Sequence, residues 1–156
     1  MTLIRDIRAD EIPMLDDFLY EAIFIPEGIP SPPRSIIESE DLQVYVRDFS
    51  KLNDDCCLVA IVDGKIVGAV WSRIIDDFGH IDNQTPSLAI SLYREFRSKG
   101  IGTELLRRML DLLRRDGYSK VSLSVQKANY ALRMYETAGF KTVADRGEEL
   151  LMVREL

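Results

Sequence analysis

Between Ser87 and Val125 the chain reads as strand, glycine-bearing loop, long amphipathic helix and strand, and no other feature restricts its fold so tightly. "SLAISLY" (Ser87 to Tyr93) and "KVSLSV" (Lys120 to Val125) are short β-type runs. Between them Ile101, Leu105, Met109 and Leu112 recur at helical spacing, with Arg107, Arg108, Asp111 and Arg115 off that line. A helix that joins two strands of one sheet is a crossover connection, so those strands are expected to run parallel.

The preceding segment imposes the opposite pairing. "CCLVAIVDGKIVGAVWSRII" is two β-branched runs joined by Asp63-Gly64, a strong hairpin signal, and hairpin strands are antiparallel. Upstream, "TLIRDIR" reads as a first strand, and Asp10 then caps a helix carrying Ile12, Leu15, Phe18, Leu19 and Ile23. "IPEGIPSPP" (Ile25 to Pro33) is too proline-rich to continue that helix and reads as a stiff loop. A second helix is expected from Ser35 to about Phe49, on Ile36, Ile37, Leu42, Val44 and Val46. Downstream, Asn129 caps a short helix closed by Gly139, and "KTVA" and "ELLMVREL" are closing strands. The order βααβββαβαββ describes an α/β fold: a mixed, mostly antiparallel central sheet with helices on both faces. With 156 residues and no composition break, residues 1–156 are expected to form a single domain.

Several function classes are disfavoured. The apolar runs fall short of a membrane span, and "MTLIRDIRADE" lacks the order of a signal peptide. Cys56 and Cys57 are adjacent and poorly placed to staple a fold, so a cytoplasmic location is expected. With one histidine there is no zinc-type spacing, and no metal is expected. A net charge of −6 argues against a general nucleic-acid binder. That average hides a split: residues 1–80 hold 16 acids and 7 bases, a balance of −9, and residues 81–156 hold 10 acids and 13 bases, a balance of +3. Either the two halves are differently solvated faces, or an acidic half faces a cation and a basic half an anion.

The glycine loop bears on that choice. "RSKGIGTE" has neither the spacing of a P-loop nor the third glycine of a dinucleotide fingerprint. What it has is Arg97-x-x-Gly100-x-Gly102 at a strand-to-helix junction. The first turn of a helix leaves its amides without partners and carries partial positive charge. Glycines let a phosphate approach that backbone, and Arg97, Ser98 and Lys99 add side-chain donors. The junction reads as a pyrophosphate site.

"RSKGIG" after a strand resembles the acetyl-CoA-binding motif of the GCN5-related N-acetyltransferases (the GNAT family), Gln/Arg-x-x-Gly-x-Gly/Ala. "NYALRMYETAGF" (Asn129 to Phe140) is similar to that family's Asn…Ala…Tyr…Gly-Phe helix. The resemblance implies the acyl-CoA N-acyltransferase fold with acetyl-CoA as cosubstrate. It implies that amides of Arg97, Ser98, Lys99, Gly100, Ile101, Gly102 and Thr103 hold the pyrophosphate. Ile90 to Leu92 would pair through their main chain with the pantetheine arm, and an amide there would stabilise the oxyanion. Tyr135 would protonate the leaving thiolate, and Asn129 would touch the pantetheine or an ordered water.

The implied reaction is acetyl transfer to a primary amine by direct attack in a ternary complex; the alternative is a non-catalytic acyl-CoA-binding sensor of the same fold. An ammonium with a pKa of about 10.4 must lose a proton first, whereas a thiolate of pKa about 8.5 needs only a mild acid. The base stays open among His80, Asp76, Asp77, Asp82, Glu21, Glu27 and a relayed water. Glu27, Asp76, Asp77, His80 and Asp82 are the candidate acceptor-binding residues, with "IIDDFGHID" as one rim and the proline-rich loop as the other. Trp71 and Tyr93 either line the pocket or belong to the core. The expected acceptor is a small-molecule or peptide amine, cationic at neutral pH. No nucleic acid or membrane partner is expected, and a homodimer is left open.

Overall fold

Asp63 and Gly64 take φ values of 50° and 79°, as a two-residue hairpin turn requires, and set Val62 opposite Lys65. This computed structural model describes residues 2–156. The turn joins β2 (Cys56–Val62) to β3 (Lys65–Arg73). β1 (Thr2–Asp6) adds antiparallel to β2, and β4 (Ser87–Leu92) adds antiparallel to β3. A second antiparallel group holds β5 (Lys120–Gln126), β6 (Lys141–Asp145) and β7 (Glu149–Glu155). The sheet order is β1-β2-β3-β4-β5-β7-β6, and the two groups meet at one parallel register pair, Ser87 with Ser122. The mixed, mostly antiparallel sheet is the one expected.

Two apolar cores lie on opposite faces. α3 (Ile101–Arg115) and α4 (Ala131–Thr137) cover one, where Leu88, Leu92, Leu105, Met109 and Leu123 are buried. α3 buries a wider stripe than one line of residues: Leu106, Leu110 and Leu113 are inside, and Leu112 is only partly so. α1 (Leu15–Ala22) covers the other face, with Phe18, Leu19, Ile37, Phe49 and Trp71 buried.

Two expected helices differ. The first begins as a 3-10 turn over Ala9–Met14, where Pro13 has no N–H to give, and becomes α-helical only at Leu15. The second, expected over 35–49, is absent. A 3-10 turn covers Arg34–Glu38, Ser39 is extended (ψ 148°), α2 is the four-residue Glu40–Gln43, and turns follow. Of its five apolar residues only Ile37 and Val46 are buried, because their spacing does not follow 3.6 residues per turn.

Tertiary bonds hold this segment instead. Arg73, 4% exposed in its side chain, meets both oxygens of the fully buried Asp55 at 2.8 and 3.1 Å. It also donates to the carbonyls of Val44 and Arg47 and lies 5.3 Å over the Phe49 ring. Asp55 in turn accepts from the Ser50 and Leu52 amides. Asp55→Ala would leave a buried guanidinium without its counter-charge, so it is expected to destabilise the fold by about 3–5 kcal/mol. Urea unfolding measures it.

Candidate active site

The Tyr93 amide donates to the Val67 carbonyl at 2.9 Å. Bonded positions alternate along an antiparallel ladder, so Ala89, Ser91 and Tyr93 turn their main-chain groups to β3, while Leu88, Ile90 and Leu92 turn theirs toward β5. β5 answers only at the start, where the Ser122 amide reaches the Pro86 carbonyl at 3.0 Å. Beyond that point the two strands part. The far end of β4 is tied to α1: Ser91 Oγ donates to the Phe18 carbonyl (2.6 Å) and Tyr93 Oη to Asp17 (3.1 Å). Arg97 donates to the Glu21 carbonyl (3.0 Å) and to the Leu92 carbonyl (3.1 Å). The result is a wedge in which Ile90 presents its main-chain groups, and Leu92 its amide, without a neighbouring strand, the Leu92 carbonyl being taken by Arg97.

On one side the wedge opens at the start of α3. The first intrahelical bond there runs from the Glu104 amide to the Gly100 carbonyl at 3.1 Å, so the amides of Ile101, Gly102 and Thr103 have no intrahelical acceptor. Gly100 caps the helix at φ 85°, a conformation that costs a side-chain-bearing residue, and Ser98 accepts that cost at φ 62°. A Cβ on Gly102 would stand 3.6 Å from both Leu92 Cδ1 and Met134 Sδ, which places this glycine between β4 and α4.

The Arg97 side chain is not the free phosphate donor expected of it. Besides its two carbonyl bonds it pairs with Glu21 at 3.5 Å, and its amide is bonded to the Arg94 carbonyl. Lys99 lies 5.7 Å over the Phe96 ring. Asn129 caps α4 as expected, its Oδ1 accepting the Ala131 amide at 2.9 Å. Tyr135 is buried in α4, edge-on to Phe140 at 5.8 Å, and burial pushes its phenol well above the usual tyrosine range. It is therefore a neutral, proton-bearing group at physiological pH.

On the other side, the loop between β3 and β4 crosses the apex of the wedge. Ser122 Oγ donates to the Gly79 carbonyl at 2.6 Å, and a Cβ on Gly79 would sit 3.3 Å from Leu123 Cα, the Ser124 amide and Ser87 Cβ. A Cβ there would press this backbone aside by a few tenths of an ångström, so glycine eases the close approach. Asp77 accepts from Ser87 Oγ at 2.5 Å on Oδ2, while its buried Oδ1 has no partner. Burial raises its pKa. His80 Nδ1 is also buried without a partner.

Two further residues complete this face. Trp71 Nε1 donates to the Tyr45 carbonyl at 3.1 Å. Burial raises the Tyr45 phenol first, and the charges of Asp77 and Glu149 add to it. Glu149 accepts from Ser124 Oγ at 3.1 Å.

Of the residues expected here, the structure brings Asp77 and His80 together. Asp76 is exposed on a groove of about 620 Å³ that Glu40, Asp41 and Asp48 also line. Asp82 serves a turn, accepting the Gln84 amide at 2.8 Å and facing Lys120 at 3.8 Å. Glu27 is exposed in the proline-rich loop, which Tyr20 pins to α1 through the Pro32 carbonyl (2.5 Å). Trp71 is core, 1% exposed, and Tyr93 packs on Phe18. Tyr45, Ser87, Ser124 and Glu149 were not expected. The alternation of serine with Val and Leu in "KVSLSV", a strand covered on both faces, is a signal for Ser124 alone.

The sequence model of the acetyltransferase (GNAT) family matches residues 20–140. The chain belongs to the GNAT family. It is 36% identical over 114 residues to an N-alpha-acetyltransferase of Saccharolobus solfataricus, a match that covers 63% of this chain and 68% of that protein. It is 33% identical over 102 residues to the N-acetylaspartate synthetase of Rattus norvegicus, covering 65% of this chain and 32% of the relative. A probable N-acetyltransferase camello of Xenopus tropicalis is 31% identical over 105 residues, with 65% and 46% covered. The chain thus spans less than half of the latter two relatives. Among solved structures, the PaiA N-acetyltransferase of Thermoplasma acidophilum in complex with coenzyme A superposes with a TM-score of 0.73 at 23% identity, covering 100% of this chain and 99% of that one. This GNAT chain has no helix long and apolar enough to cross a membrane among the described residues.

A carboxyl raised by burial weakens the fold when it ionises. Below an unfolded-state pKa of about 3.9, Asp77 is protonated in both states and has no effect; its cost grows up to the raised folded value and then stays. Asp77→Asn is therefore expected to raise Tm at neutral pH, with the gain vanishing below about pH 3.9. Thermal scans across pH measure it; a lower Tm for the variant at neutral pH would contradict the burial account.

Proposed function

We propose that the protein transfers the acetyl group of acetyl-CoA to the primary amine of a cationic small molecule or peptide, by direct attack in a ternary complex. One observation carries this reading: the main-chain groups of Ile90 and the amide of Leu92 face a slot that opens on free helix-end amides on one side and on carboxylates on the other. The amides of Ile101, Gly102 and Thr103 suit the pyrophosphate. The pantetheine arm would run along β4 as an added strand, which replaces the ladder bonds that β5 does not make.

A main-chain amide in the same stretch would then receive the oxyanion that forms when the amine attacks the thioester carbonyl. Tyr135, held neutral by burial, supplies the proton for the departing thiolate. An acyl-cysteine intermediate is disfavoured. Burial pushes the Cys56 thiol up to about 11 and Cys57 higher still, so neither offers a thiolate at neutral pH.

The test is release of free thiol from acetyl-CoA in the presence of a panel of primary amines. Tyr135→Phe keeps the ring and removes the hydroxyl, and is expected to lower turnover by about 10²–10⁴-fold while coenzyme A affinity stays the same. Unchanged turnover would make Tyr135 a packing residue; no thiol release with any amine would overturn the reading.

A further inference from the structure

The loop between β3 and β4 is tied down at residues 77–80 by three separate elements. From β5, the fully buried Ser122 donates through Oγ to the Gly79 carbonyl at 2.6 Å. From β4, Ser87 Oγ donates to Asp77 Oδ2 at 2.5 Å. From the turn between β6 and β7, Arg146 donates to the Phe78 carbonyl at 2.6 Å. The His80 amide closes the loop on the Asp77 carbonyl at 3.2 Å. Loops that swing are those with few such bonds, so this segment is a fixed part of the wall.

Counted from the register pair of Ser87 with Ser122, Ser124 stands level with Ala89. Gly79 lies against Ser124, since a Cβ on it would sit 3.3 Å from that amide and from Leu123 Cα. The loop therefore crosses the wedge one residue, about 3.3 Å of strand, short of Ile90. On the opposite face Leu88, Leu123, Val125 and Tyr135 belong to the buried cluster under α3 and α4. A group that enters along β4 and passes Ile90 meets backbone on one face and packed side chains on the other.

We propose that this loop is the stop that limits the acyl group of the cosubstrate to acetyl, and that Ser122 fixes the stop in place. This rests on the acetyl-transfer reading above, in which the pantetheine arm runs along β4 from the start of α3. The arm then points toward Ser87. With its oxyanion on the Ile90 amide, the thioester carries its acyl carbons into the interval between Ile90 and Gly79. The methyl of an acetyl group fits there. A longer chain presses on the Gly79 backbone, which Ser122 keeps from yielding, or on Leu88 and Leu123, which are packed from behind. Overfilling such a wall forces side chains off their rotamers or shifts backbone.

The experiment compares acetyl-CoA, propionyl-CoA and butyryl-CoA as donors, read as thiol release and, separately, as Kd by calorimetry. The acceptor is whichever of spermidine, lysine amide and a free-N-terminal peptide wild type acetylates best. One methylene too many in a pocket is worth about 10–200-fold, so wild type is expected to use butyryl-CoA about 100-fold less well than acetyl-CoA in kcat/KM. Ser122→Ala leaves the buried Gly79 carbonyl without its donor, and the loop then gains by lifting toward water. That variant is expected to narrow the ratio by about tenfold. Arg146→Ala loosens the same loop from an exposed position and should shift the ratio in the same direction, by less. Each ratio is read within one enzyme, so a lower Tm or a smaller active fraction does not move it.

Wild type that uses butyryl-CoA as well as acetyl-CoA would remove the stop. An acetyl preference that neither variant relaxes would place the limit in the packed wall and overturn the role of the loop. Should no donor be turned over with any of these amines, the transfer reading fails by itself and the affinities decide the stop. Tighter binding of acetyl-CoA than of butyryl-CoA, with the difference reduced in Ser122→Ala, would keep it. Equal affinities, or a difference that Ser122→Ala leaves unchanged, would overturn it.

Discussion

The binding of β4 to α1 is the interaction on which the rest of the structure depends. A strand beside a parallel partner normally completes its ladder, because an unpaired buried amide or carbonyl is costly. Here Ser91, Tyr93 and Arg97 bond the far half of β4 and the loop after it to Phe18, Asp17 and Glu21. The strand follows α1, and the pairing with β5 ends after Ser87 and Ser122. The proposed cosubstrate slot is the gap this creates. Arg97, which by sequence alone is a phosphate ligand, acts as a strut between the helix and the end of β4.

The same gap separates two kinds of charge. α3 starts on one side of it, and free amides with a helix dipole behind them attract an anion. Asp77 and Glu149 stand on the other side, each held by a serine, Ser87 and Ser124. The proposed reaction would bring an anionic cosubstrate and a cationic acceptor to the strand that divides these two sides. The buried, unpartnered oxygen of Asp77 fits this division, since a group kept for a reaction is often one that weakens the fold.

Much of the frame was legible in the sequence because its signals are local. Asp63-Gly64 needs only its own two φ angles to make a hairpin, and the Gly100–Gly102 junction needs only a helix start. Asn129 caps its helix from two residues away. The segment over 35–49 was misread because its apolar residues answer to Arg73, Asp55 and Trp71, which lie elsewhere in the chain. Tyr45 and Glu149 escaped notice for the same reason. Glu149 comes near the loop between β3 and β4 only through the sheet register and the close approach of Gly79 to Ser124, neither of which a linear pattern shows. The acidic residues singled out from the sequence do not gather in one cleft, since Glu27 is exposed in the proline-rich loop and Asp82 serves a turn.

The claim that the wedge is the slot for the cosubstrate can be read directly by amide hydrogen exchange, resolved by residue with NMR, with and without coenzyme A. Saturating ligand is expected to slow exchange at Ile90 or Leu92 and at Ile101, Gly102 and Thr103, with little change along β1 and β2. Coenzyme A that binds while these amides exchange as before would contradict the account, because the open side of β4 would then have another purpose.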